Sequence, residues 1–177
     1  MAPATIGVPK ADTIAAMVND AALSAARTLA ELVPRLARMI ASALESDPAV
    51  ALSLRQYRIL ERLSERPHRT TELASISGIS QPTASAAVAA LEARGLVRRS
   101  ADPRDGRATL LKLTDDGRIV LGAAKTRVIE RIVQVTRHVD ARDAAALQRL
   151  LPILVDGMNR TRTELRADKS PLGQSNG

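Results

Sequence analysis

Apolar residues recur along most of this chain at the three- and four-residue intervals that line one face of an α-helix. Leu29, Val33, Leu36, Ile40 and Leu44 form the first stripe and predict helix between Asp12 and Leu44. Pro34 interrupts it, which predicts a kink or a fresh helix start near Glu31, and Ser46-Asp47-Pro48 closes the segment. Leu54, Tyr57, Leu60 and Leu63 mark a second helix over 54–65, capped by Ser53. Pro67 to Thr70 reads as a short extended link. Thr71 then caps a brief helix that buries Leu73 and Ile76. Gly78 supplies the positive φ of a tight turn, with Ile79 filling the corner. Ser80 caps the next helix, which takes Pro82 in its first turn, turns Ala84, Val88 and Leu91 inward, and stops at Gly95.

The helical period is then lost. Leu96–Ser100 and Ala108–Leu113 read as short strands around a turn rich in Asp, Pro and Gly. Thr114 caps a long helix with its seam on Leu121, Ala124, Val128, Ile132, Val135 and Val139. Asp140 caps a last helix bearing Leu147, Leu150, Leu151, Leu154 and Met158. Helix, turn, helix, strand, charged turn, strand is the order of a helix-turn-helix followed by a β-wing. The predicted fold is therefore mainly α with a small two- or three-stranded β-wing. Residues 52–114 form the winged helix-turn-helix, flanked by N-terminal helices over 11–46 and C-terminal helices over 115–167. Residues 1–10 and 168–177 have the composition of disordered ends. The apolar seams of the terminal helices exceed what a small winged helix can cover, which predicts a homodimer built on them.

Charge sharpens the picture. The chain carries 26 Lys and Arg against 19 Asp and Glu, for a net charge of +7. Residues 1–52 contribute −1, residues 115–177 contribute +3, and residues 53–114 contribute +5. The excess sits on the winged segment, where a nucleic-acid footprint belongs. One aromatic residue, Tyr57, leaves almost no means of stacking on single-stranded bases, so the expected partner is double-stranded DNA. The absence of cysteine excludes disulfides and thiol chemistry. The apolar runs are too short to span a bilayer and the start of the chain does not read as a secretion signal, so a cytoplasmic protein without membrane contact is expected.

The first turn of a recognition helix is the part that reaches base edges in the major groove. Here that turn offers Gln81, Thr83 and Ser85, with Ser80 and Pro82 at its start. Glutamine pairs bidentately with adenine, and serine and threonine reach bases or phosphates. The wing offers Arg104 and Arg107 around Asp105-Gly106, suited to a minor groove of enhanced negative potential. Asp102 and Asp105 make sense there as partners that hold an arginine in one rotamer. Arg69, Arg94, Arg98, Arg99 and Lys112, with His68, are candidates for phosphate contacts.

The run from Leu52 to Thr114 resembles the winged helix of MarR-type bacterial transcription regulators. The likeness rests on LSLRQYRIL, on TELASISGISQPTASAAVAALEARGLVRR, on the DPRDGR turn, and on Leu-x-Leu-Thr-x-x-Gly from Leu111 to Gly117. It implies a homodimeric repressor or activator on a pseudo-palindromic operator, with the third motif helix in the major groove. It further implies that Arg107 enters the minor groove, oriented by Asp105, and that a small organic effector releases the DNA. One departure stands out: Ala84, Ala86, Ala87, Ala89 and Ala90 leave the recognition helix without the outward Arg or Lys common in that family.

An enzyme is not expected. The two histidines lie far apart in sequence, and no phosphate loop, nucleophile arrangement or metal-ligand spacing is present, so no cofactor or metal is predicted. The predicted function is a ligand-responsive transcriptional repressor; the alternative is a winged helix that binds protein, or an architectural DNA-binding module without ligand response. Tyr57 is the single aromatic available to line an effector pocket, but it reads first as an ordinary core tyrosine with a satisfied hydroxyl.

Overall fold

The computed structural model describes residues 20–102 and 105–167. They form α1 (Asp20–Ser46), α2 (Leu54–Glu65), α3 (Thr70–Ser77), α4 (Gln81–Ala93), β1 (Val97–Asp102), β2 (Asp105–Leu113), α5 (Asp115–Thr136) and α6 (Ala141–Ala167). The expected disordered ends and Arg104 lie outside the described residues, as does the side chain of Arg107.

Two of these elements differ from the sequence expectation at their ends. Helix α1 runs continuously through Pro34 and does not restart near Glu31. Pro34 and Ala30, whose carbonyl loses its helical partner to the proline, are both exposed, so water can satisfy the freed group. Helix α3 begins at Thr70 with Arg69 in the cap position, so Thr71 lies inside the helix and caps nothing. Within α3 the buried pair is Leu73 and Ala74, while Ile76 is half-buried.

The other caps follow the sequence. Ser53 and Gln56 make a reciprocal capping box: the Gln56 amide donates to Ser53 Oγ at 3.2 Å and the Ser53 amide donates to Gln56 Oε1 at 2.9 Å. The Asp143 amide donates to Asp140 Oδ1 at 2.8 Å at the head of α6.

The chain divides into two compact units, one ending at Arg131 and the other beginning at Ile132. The first holds the core. Leu44, Val50, Leu52, Ile59, Leu60, Leu73, Val88, Leu91 and Leu111 are fully sealed, drawing on α1 through β2, and α5 adds Leu121 and Ala124. In the second unit α6 exposes Leu150, Leu151, Ile153, Leu154, Val155 and Met158, the last at 72%. No described helix is long and apolar enough to cross a membrane.

Candidate nucleic-acid interface

The reading head is assembled by the turn between α3 and α4. Gly78 adopts φ 64° and ψ 31°, a left-handed geometry that a side chain would strain. Its amide donates to the Ser75 carbonyl at 3.3 Å and that of Ile79 to the Ala74 carbonyl at 3.1 Å, which closes α3 and aims the chain at Ser80. Ser80 Oγ accepts from the Thr83 amide at 3.3 Å and lies 2.7 Å from Thr83 Oγ1. Pro82 sits in the first turn, where the missing N–H costs nothing.

Ala84, Val88 and Leu91 pin one face of α4 to the core at 0% exposure. The opposite face presents Gln81, Pro82 and Ser85, with Thr83 half-buried against its cap partner. Beyond them Ala86, Ala89 and Ala90 are exposed and short. Of the five alanines in the expected bare face, Ala86, Ala89 and Ala90 are exposed, whereas Ala84 is buried in the core and Ala87 half-buried, because both lie toward the side of α4 that packs inward.

The wing is an antiparallel pair in the register Val97↔Leu113, Arg98↔Lys112, Arg99↔Leu111, Ser100↔Leu110 and Ala101↔Thr109. A register shift follows between Ala101 and Asp102, after which Asp102 pairs with Asp105. The strands reach further into the tip than the sequence pattern predicts, because the shift lets β2 absorb its extra residues there. A third stretch joins the sheet at one point. The Leu111 amide donates to the His68 carbonyl at 2.8 Å and the His68 amide to the Leu111 carbonyl at 3.3 Å.

Arg98 and Lys112 face each other across the strands, and among the described residues neither side chain has a hydrogen-bond or ion-pair partner. Like charges directly opposite in a sheet repel, so this pair favours an anion. The other basic candidates are engaged within the protein. Arg94 donates to the Ala51 carbonyl at 2.7 Å and the Val50 carbonyl at 2.8 Å, tying the end of α4 to the loop before α2. Arg99 donates twice to Glu92 Oε2, at 2.9 and 3.1 Å. Arg69 Nη2 donates to Asp102 Oδ2 at 2.7 Å and to Asp105 Oδ2 at 3.3 Å. The carboxylates expected to hold an arginine thus hold one from the helix-turn-helix. Both acids raise the Arg69 pKa, Asp102 through its hydrogen bond first. The Arg69 and Arg94 links were not legible in the sequence, because their partners lie 33 to 44 residues away.

His68 is 2% exposed, and its Nδ1 lies 3.0 Å from Glu72 Oε2. The approach is off the line a hydrogen bond needs, and neither ring nitrogen has a hydrogen-bond partner. Glu72 titrates below the usual carboxylate range because Arg66 bonds to it, with His68 adding to the effect. His68 is therefore a buried residue anchoring the base of the wing rather than an exposed phosphate contact. Tyr57 packs in the core at 9% exposure and donates its hydroxyl to Glu61 Oε1 at 2.9 Å. Burial first, and the Glu61 carboxylate second, push its pKa up to about 12.

Thr114 joins wing to α5. Its amide donates to the Leu96 carbonyl at 3.1 Å, its hydroxyl donates to the Gly95 carbonyl at 2.7 Å, and its Oγ1 accepts from the Gly117 amide at 3.0 Å. Gly117 is then so close to the wing that a Cβ built on it would stand 2.1 Å from Leu96 O. Further along, Arg127 Nη2 pairs with Asp47 Oδ2 at 2.7 Å, which holds the Asp47 carboxyl below its ordinary range. Among the described residues no cluster of His, Asp or Glu suits a metal ion.

Comparison with known proteins agrees with this geometry. The MarR family model matches residues 52–109. An HTH-type transcriptional regulator of Bacillus subtilis, YxaD, is 37% identical over 83 residues, which cover 46% of this chain and 58% of the relative. The transcriptional regulator BldR of Sulfolobus solfataricus superposes with a TM-score of 0.67 at 28% identity, over 80% of this chain and 96% of that one. Sco3205 of Streptomyces coelicolor, a MarR family regulator solved in complex with DNA, superposes with a TM-score of 0.61 at 28% identity, over 80% of this chain and 93% of that one. The polar first turn of α4 and the wing as far as Thr109 fall within the stretch that the MarR family model matches, and the fold is that of the MarR-type winged helix-turn-helix regulators.

Proposed function

We propose that the protein is a homodimeric, sequence-specific DNA-binding transcriptional regulator, a repressor relieved by a small organic effector. The observation that carries the DNA reading is the pairing of an exposed polar first turn on α4 with a cationic wing fixed to the same domain. Gln81 and Ser85 address base edges in the major groove, Gln81 by bidentate pairing with adenine. Arg98 and Lys112 take phosphate, which relieves their mutual repulsion. The wing turn at Arg104 and Arg107 addresses the minor groove. The relative solved with DNA supports this reading.

The exposed apolar side chains of α6 support the dimer, since so much aliphatic surface on one helix calls for a partner. Sedimentation equilibrium at micromolar concentration should give a dimer, and Leu151→Asp should give a monomer. Selection of bound duplexes from a random DNA pool tests the reading as a whole. An enriched inverted repeat with half-sites about 34–36 Å apart is the expected result. Bulk, salt-sensitive binding without enrichment would refute sequence reading and favour an architectural or protein-binding role for the bare alanine face.

A further inference from the structure

The root of the wing is held by the core packing of Val97, Leu111 and Leu113 and by the Arg99–Glu92 pair that ties β1 to α4; two further contacts join it to the chain around the start of α3. At its base, the His68–Leu111 pair of backbone hydrogen bonds adds a single rung to β2. The second contact is at the far end. Asp102 is the last residue of β1 and Asp105 the first of β2, and the Arg69 guanidinium bonds to both. One side chain therefore grips the two strands where they meet the turn. Arg69 is itself well placed as an anchor. It occupies the cap position of α3 with an extended backbone, its side chain does not cap the helix, and it follows His68 directly. From α3 the chain passes through the rigid Gly78 turn into α4.

We propose that Arg69 is a positioning residue for DNA recognition: it braces the wing at a fixed angle to the recognition helix. This inference rests on the DNA reading above. Two contact surfaces that must enter adjacent grooves together lose less freedom on binding when their angle is already set. Asp102 is 8% exposed, so without Arg69 a buried carboxylate would lose a charged partner.

The competing role for Arg69 is a direct phosphate contact, and the two differ in sign. If Arg69 touched phosphate, Asp102→Asn would release it and remove a negative charge near DNA, so operator binding would tighten. A brace predicts that Asp102→Asn weakens operator binding by about ten-fold, the effect of one lost structural contact. Arg69→Ala should weaken it to the same extent, and the double variant should be no worse than either single one.

A second readout needs no DNA. Amide hydrogen exchange of Val97–Asp102 and Asp105–Leu113 in the free protein should quicken by about ten-fold in both variants, while exchange in α4 stays unchanged. Asp102→Asn is nearly isosteric, so the test survives even if Arg69→Ala does not fold. Tighter binding by Asp102→Asn, additive losses, or unchanged wing exchange would each overturn the brace. Failure of the unaltered protein to bind any duplex would instead overturn the DNA reading, and would be seen before a variant is made.

Discussion

Replacing Gly117 with alanine should destabilise the winged domain, although the same change elsewhere on that helix should help. The added Cβ would stand 2.1 Å from the Leu96 carbonyl oxygen, 2.8 Å from Leu113 Cδ1 and 3.1 Å from the Leu96 carbonyl carbon. The first contact is with backbone, which cannot rotate away, so α5 and the start of β1 must separate. Overpacking of this kind costs about 1–3 kcal/mol. Separation also stretches the 3.1 Å bond from the Thr114 amide to that same carbonyl, worth about 1 kcal/mol. Alanine's better helix propensity returns about 0.8–1.0 kcal/mol. The net expectation is a loss of about 1–3 kcal/mol. Gly122 on the same helix supplies the control, since a Cβ there meets nothing within 4 Å. Gly122→Ala should therefore leave stability equal or raised by up to about 1 kcal/mol. Urea unfolding followed by the fluorescence of Tyr57, the lone aromatic residue, reports on the domain that holds both sites. Equal midpoints for the two variants would refute the close approach of α5 to the wing.

Other expectations follow from the same structure. Tyr57 should titrate near 12 rather than 10.0, seen directly in tyrosinate absorbance. Because the folded state favours the neutral phenol, this contribution to stability is complete below about pH 10 and lost as pH rises through about 12. Titration at the ordinary value would mean that the Glu61 contact and the burial are both absent in solution. Ser53→Ala removes the acceptor for the Gln56 amide and should cost about 1 kcal/mol in urea unfolding; an unchanged midpoint would show that the capping box contributes nothing. Arg107→Ala should weaken operator binding by about 1–3 kcal/mol. Gln81→Ala should change base preference more than affinity for random DNA, and equal losses on both would remove Gln81 from the readers.

The local features were legible because they are written in local patterns. Spacings of three and four residues placed α2 and α4, Gly78 announced its left-handed turn, and Ser53, Ser80, Thr114 and Asp140 each cap the helix that follows. Thr71 misled because threonine is a good cap by type, yet the preceding residue holds the extended backbone and helix begins one position earlier. Pro34 left open a kink or a fresh start, and the helix does not restart there: on an exposed face the proline leaves its orphaned carbonyl to water. What sequence could not show was which charges meet. Arg69, Arg94 and Arg99 look alike as surface cations, but the fold brings each to a different acceptor: two wing carboxylates, two loop carbonyls and Glu92. Of the described phosphate candidates, Arg98 and Lys112 retain side chains without a partner, the character that composition suggested for all of them.

The bare face of α4 has a consequence for redesign. Ala86, Ala89 and Ala90 point outward from a helix whose register is already fixed by Ala84, Val88 and Leu91. New side chains at the three outward sites would not disturb the residues that seat the helix. Arginine, asparagine or glutamate could be installed there one at a time, each bringing its own base preference. This helix is close to a blank template, with stability and reading assigned to separate residues, so a library over three positions should yield altered operators without loss of fold.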